Sequence, residues 1–171
     1  MKVSLKMDRV RGLVCLAPLA IFTQACSTYE APIVDQQPPP AAGSKFGPAS
    51  PIIARDGHGV GNLRSASWPA GAALGMTGRL PVIGQLQIVL HSVGRCDAPA
   101  FATSGALLAG APSPAGAVST TGDGNLHTTI LAYGTRLRAT DPGNGPALLD
   151  QDGSAALFMQ GGMPVACAVV R

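Results

Sequence analysis

Apolar and polar residues alternate with a period of two along several short stretches of this chain, and turn-forming residues bound each stretch. The clearest is 85–91 (QLQIVLH). Leu86, Ile88 and Leu90 fall on one face, and Gln85, Gln87, Val89 and His91 on the other, as in a strand with one buried face. The same reading gives strands at 49–55 and 60–67, joined as a hairpin through Asp56-Gly57-His58-Gly59, and a third at 72–80. Further along it gives one or two strands within 126–139, a short extended piece at 147–150, and strands at 155–160 and 165–170. From Ser92 to about Asn125 no long periodic run occurs, and Gly, Ala, Pro, Ser and Thr dominate. A loop of that length inside a compact domain is functional or inherited from a functional ancestor. About eight short strands with turn chemistry between them predict an all-β fold, an antiparallel sandwich or Greek-key barrel.

Composition narrows the partners more than it changes this picture. At 171 residues the chain has room for one domain and an N-terminal extension. The formal charge is +3, with 12% charged and 4% aromatic residues and no basic run, which argues against nucleic acid as a partner. The 22 glycines and 15 prolines argue against a helical bundle.

The first segment reads as an export signal. Lys2, Lys6, Arg9 and Arg11 precede an apolar run at 12–23 that is short for a membrane span, followed by Gln24-Ala25-Cys26-Ser27. Residues 1–25 are therefore expected to be a signal peptide. Its end resembles a bacterial lipobox, with Cys26 as the lipid-attachment residue; an ordinary cleaved signal is the alternative. Residues 26–48, with Gln36-Gln37-Pro38-Pro39-Pro40, form a proline-rich tether, or alternatively a recognition motif. Residues 49–171 form the folded body. Cys15 leaves with the signal, so Cys96 and Cys167 remain as one structural bridge, which implies an oxidising compartment. The expectation is a protein of the cell envelope or periplasm of a Gram-negative-type bacterium, whose partner is the membrane, through the lipid anchor.

From Ala49 to Arg171 the order of features resembles the Cu/Zn superoxide dismutases, especially bacterial exported ones. It runs from the early hairpin (DGHGVG) through a Leu-Pro before the strand ending in His91-x-x-Gly94-x-Cys96, to Asp97-Ala98-Pro99-Ala100-Phe101. Leu148-Leu149-Asp150-Gln151-Asp152-Gly153-Ser154-Ala155 and Val165-Ala166-Cys167-Ala168-Val169-Val170 complete it. The resemblance implies a Greek-key barrel and a Cys96–Cys167 bridge. It also places the family's ligands. The two copper histidines of the central strand fall on Val89 and His91, the bridging histidine on Leu107, a zinc histidine around 118–120, the zinc aspartate on Asp123 and the last copper histidine on Met159. The arginine that draws the anion falls on Pro164.

The family's dinuclear site uses six histidines and an aspartate, whereas this chain has three histidines, His58, His91 and His127. Copper needs several imidazoles to hold both redox states and zinc a closed ligand set, so no register builds that site. The chain reads as a relative depleted of metal ligands, with no cofactor expected. His91 is either a strand-end residue bonded to backbone or, with Met159 and Met163 nearby, part of a soft copper site. Asp123 is a turn residue or a remnant zinc ligand. His58 and His127 read as surface residues. Arg95 is placed to bond loop carbonyls beside the bridge. Three functions follow: a non-enzymatic envelope module, a copper-handling protein with a reduced His/Met site, or a divergent dismutase. Strand edges leave a homodimer open.

Overall fold

The computed structural model describes residues 45–171. Eight strands run in order: β1 Ser50–Ala54, β2 Gly59–Trp68, β3 Gly71–Arg79, β4 Gly84–His91, β5 Gly116–Thr120, β6 Asn125–Tyr133, β7 Ser154–Gln160 and β8 Met163–Val170. All pairings are antiparallel, in a single sheet of order β5-β4-β7-β8-β1-β2-β3-β6. The two end strands of that order, β5 and β6, follow one another in the chain and meet, with Ile130 packed against Gly116. The result is a nearly closed barrel. The non-sequential neighbours β3–β6, β4–β7 and β1–β8 are Greek-key connections.

The alternating pattern explains the interior. Leu86, Ile88 and Leu90 of β4 are fully buried in the main core, with Ile52, Leu63, Leu74, Met76, Leu126, Ala156, Phe158 and Val170 from the other strands. β7 departs from alternation because both of its faces are covered. Ala156 and Phe158 enter the main core, while Ala155 and Leu157 join a second cluster with Phe101 and Cys167. A strand buried on both sides reads as a continuous apolar run. Ile53, Cys96, Ala98 and Met159 pack around this second cluster.

Two details differ from the sequence reading, and the choice of one or two strands within 126–139 is decided. The stretch from Ser92 to Asn125 contains a strand, β5, whose only large apolar residue is Val118. Residues 126–139 yield a single strand, because the chain turns at Gly134-Thr135 after Tyr133. Residues 147–150 make no strand, and Ala147 forms an isolated bridge with Arg136. The loop between β6 and β7 is instead held by side chains. Arg136 donates from Nε to the Gly145 carbonyl at 2.8 Å and from Nη1 to Ala139 at 2.9 Å. Asp141 accepts from the Ser67 hydroxyl at 2.6 Å and the Arg138 amide at 2.8 Å. Gly145 lies so close to Gly134 that a Cβ there would stand 1.6 Å from the Gly134 oxygen, so only glycine fits.

The segment expected to be a signal peptide, Cys26 and the expected tether up to residue 44 lie outside the described residues. Phe46 and Gly47, within the stretch expected to be a tether, lie against the barrel. The Gly47 amide donates to the Ser65 carbonyl at 2.7 Å, and the Phe46 ring lies over Gly75. Ser65 in turn donates to the backbone oxygen of Arg171, fastening the C-terminal residue to β2. Among the described residues no helix is long and apolar enough to cross a membrane.

Candidate functional site

The end of β4 and the loop that follows it carry the chemistry singled out by the sequence. Cys96 and Cys167 are bonded, with S–S 1.98 Å and Cα–Cα 5.6 Å, and Cys167 is fully buried on β8. This fastens the start of the loop to the outer face of the barrel wall. The Gly94 amide donates to the Asp152 carbonyl at 2.9 Å, which ties the same loop to the residues before β7. Arg95 and Asp97 pair at 2.9 Å, but both side chains are exposed, so the pair contributes at most about 1 kcal/mol. Arg95 thus bonds a carboxylate two residues on, rather than the loop carbonyls expected of its guanidinium. Phe101 adopts a left-handed backbone (φ 55°) with its ring 1% exposed. Burial of the ring in the second cluster offsets a backbone cost of about 1–2 kcal/mol.

His91 is the last residue of β4 and lies opposite Ala155 of β7. Its Nδ1 stands 2.8 Å from the Gly105 carbonyl and 3.1 Å from the Ser104 hydroxyl. A carbonyl only accepts, so Nδ1 carries the proton. The Ser104 hydroxyl donates to the Phe101 carbonyl at 2.8 Å and accepts from the imidazole. In the neutral ring Nε2 is left as a lone pair. Backbone bonds complete the joint: Ser92 amide to Ala106 carbonyl, Val93 amide to Ser104 carbonyl and Leu108 amide to Leu90 carbonyl, each at 2.9 Å. Ser104 and Gly105 were not visible in the sequence as partners of His91. They sit more than a dozen residues away in a stretch of small residues with no motif of their own.

Other sequence candidates do not converge on His91. Met159 lies opposite Gln87, four residues along β4 from His91, an offset of about 13 Å along the strand. The Val89–Leu157 pair stands between them. Met159 packs against the second cluster, and Met163, opposite Gln160, is 59% exposed. Leu107 bridges His91 through the backbone and exposes its side chain, Val118 is in the main core, and Pro164 lies opposite Met159. Asp123 occupies the β5–β6 turn, at the β4 end that begins with Gly84, about 23 Å of strand from His91. Its two carboxylate oxygens accept from the Thr121 hydroxyl and the Asn125 amide, each at 2.5 Å, so they close the turn. The Thr121 bond, helped by the Asn125 backbone and the charge of Arg79, holds this carboxyl below the usual carboxylate range. His58 sits exposed in the β1–β2 turn with its amide bonded to Asp56, and His127 is exposed on β6 opposite Thr77. Among the described residues no group of three or more His, Cys, Asp or Glu is arranged to hold a metal ion.

No protein-family model and no curated protein matches the chain. Solved structures do. One is a SOD-like protein from Bacillus subtilis, which superimposes with a TM-score of 0.61 at 20% identity, over 73% of this chain and 99% of that one. A variant of the same protein with a proline replaced by histidine gives 0.60 at 20% identity, over 73% and 98%. A double variant, with a tyrosine and a proline each replaced by histidine, gives 0.60 at 22% identity, over 74% and 98%. With this topology and this likeness, the fold of residues 45–171 is that of the superoxide dismutase-like proteins.

Proposed function

We propose that this chain is an exported, membrane-tethered superoxide dismutase-like module that acts as a structural or interaction element and performs no dismutase chemistry. The observation that carries the reading is the dispersal of its imidazoles: His58 in the β1–β2 turn, His91 at the end of β4 and His127 on the outside of β6. Cycling between Cu(II) and Cu(I) calls for several nitrogen ligands around one ion, and rapid capture of superoxide calls for a cation beside it. The positions that the family fills with histidine and arginine hold Val89, Leu107, Met159 and Pro164 here. The apolar run at 12–23, Cys26 and the proline-rich stretch support export and tethering at the cell envelope.

A second reading, copper handling, is favoured by the His91 ring itself. An imidazole whose Nδ1–H donates to a backbone carbonyl has its tautomer fixed and its Nε2 available, the arrangement that ligating histidines use. A thioether would suit Cu(I) as a further ligand; Met159 lies on the same face but about 13 Å along the strand from His91, so His91 is the residue this reading rests on. The deciding experiment is elemental analysis of the full chain after reconstitution with copper and zinc and desalting, followed by a superoxide-consumption assay. The module reading expects metal well below one ion per chain and no consumption above the buffer. One copper per chain that is lost in His91→Ala or in Met159→Ala would replace it with copper handling. Superoxide consumption by the loaded protein would overturn both.

A further inference from the structure

The aromatic residues of the described chain fall into two groups. Phe101 and Phe158 are buried in the two core clusters, whereas Phe46, Trp68 and Tyr133 gather on the outer face of β2, β3 and β6. Trp68 pairs with Gly71, and Gly71 with Tyr133, so the two rings flank a residue that has no side chain. The next residues in register, Ala72 and Ala132, enter the main core, which turns this row outward. Two residues along β3, Ala66 and Ala73 pair on the same outer face. They are 3% and 0% exposed, yet they belong to neither core cluster. Two residues further, the Phe46 ring lies over Gly75. The Trp68 indole nitrogen is shut off from solvent and has no hydrogen-bond partner among the described residues. A buried donor in that state costs free energy until an acceptor reaches it.

We infer that this face seats the chain's own proline run, Pro38-Pro39-Pro40, between Trp68 and Tyr133 and across Gly71. Proline has no amide N–H, and in the polyproline conformation the carbonyls make no internal hydrogen bonds. A slot walled by aromatic rings suits that chemistry. The rings stack on the pyrrolidines, and the Trp68 indole N–H donates to a prolyl carbonyl. The course of the chain favours this occupant over one from another molecule. Phe46 is already on the face, and Pro40 precedes it by six residues. Such a stretch spans about 19 Å in the polyproline conformation, against about 13 Å of strand from Gly75 to Gly71. A segment of the same chain also arrives at a far higher effective concentration than a free peptide. Seated here, the run belongs to the domain, and the spacer of the proposed tether is shortened to the residues before it. The inference is independent of metal content and of lipidation.

Trp68 is the only tryptophan of the chain, so its fluorescence and its indole N–H resonance report on this slot alone. The test compares the full chain, in a neutral detergent, with a version that combines Pro38→Ser, Pro39→Ser and Pro40→Ser. In the variant the emission maximum should move to longer wavelength, acrylamide quenching should rise about twofold, and the indole proton should exchange faster with solvent. The three prolines lie outside the strands, so the melting midpoint stays within a few degrees of wild type and shows that the barrel is intact. Equal quenching and equal exchange in the two proteins would overturn the inference. So would a wild-type signal that changes on dilution, which would place a second copy on this face. Quenching of Trp68 by brominated lipid in vesicles would place a bilayer there and overturn it as well.

Discussion

His91 and Gly105 are 14 residues apart in sequence, and the ring Nδ1 of one stands 2.8 Å from the carbonyl oxygen of the other. The bond closes the first turn of the long loop onto the end of β4. It also places the Ser104 hydroxyl, buried and bonded at once to His91 and to the Phe101 carbonyl, at the centre of that joint. Removing the ring leaves the Gly105 carbonyl without its side-chain donor. His91→Ala is expected to destabilise the domain by about 1–2 kcal/mol. Urea denaturation measures this, and amide exchange should quicken at Ser92, Val93 and Leu108. An unchanged midpoint with unchanged exchange would mean that the backbone bonds alone hold the joint.

Cys96 and Cys167 close a span of 71 residues. The loop-entropy relation gives about 4 kcal/mol for a bridge of that length. Cys167→Ser is therefore expected to lower the melting midpoint by roughly 15 °C, on the usual scaling for a domain of this size. Wild-type protein held in a strong reductant should fall by a similar amount, which separates the loss of the bond from any effect of serine in the buried site.

The Asp141 carboxyl lies below the usual carboxylate range because the Ser67 hydroxyl and the Arg138 amide donate to it, with the charges of Arg138 and Arg136 adding to the effect. A carboxylate with a depressed folded-state pKa contributes stability that is fully present above the unfolded value, near 4, and is lost as the pH falls through the folded value. Asp123 behaves in the same sense. Stability should be flat near neutrality and decline below about pH 4. In Asp141→Asn the decline should be shallower, and acid titrations of both proteins by circular dichroism give the comparison. Parallel acid curves would remove Asp141 from the account.

Ser154 is fully buried at the start of β7, and its hydroxyl has no hydrogen-bond partner among the described residues. An unpaired buried hydroxyl costs free energy that an apolar side chain does not. Ser154→Ala is expected to leave the protein as stable as wild type or to gain up to about 1 kcal/mol. A loss of more than that on a chemical denaturation curve would show that the hydroxyl has a partner after all.

Val89, Leu107 and Met159 stand where the resemblance puts copper-ligating histidines. Val89 and Met159 share the outer face of adjacent strands with His91. Histidine at all three positions should confer copper binding of one ion per chain, measured by titration and lost again on His91→Ala. If the variant folds and binds no more copper than wild type, the positional equivalence does not hold.

The strands were legible because burial here follows alternation. Leu86, Ile88 and Leu90 announce β4, and the Asp56-Gly57 turn announces the first hairpin. What was not legible had no pattern to show it. β5 carries Gly, Ala, Ser and Thr around one Val, and its strand state is imposed by pairing with β4. The bridge between Cys96 and Cys167 was readable from a short count of cysteines. The seating of His91 was not, since Ser104 and Gly105 gain their roles only when the loop folds back. Asp123 was legible as a turn residue, since Asp before Gly commonly closes a turn, and it does so between β5 and β6.

β7 and β8 divide the apolar interior into two compartments that share a wall but no volume. The inner one holds the barrel together; the outer one, with Phe101, Cys167 and Met159, lies on the side where Val89 and His91 face. Substitutions on the outer side therefore need little repacking within. Such a partition lets residues such as Val89 and Met159 change one at a time, each step leaving a foldable chain. A barrel with this wall has two separately adjustable sides, one that sets its stability and one whose residues can vary with little effect on it.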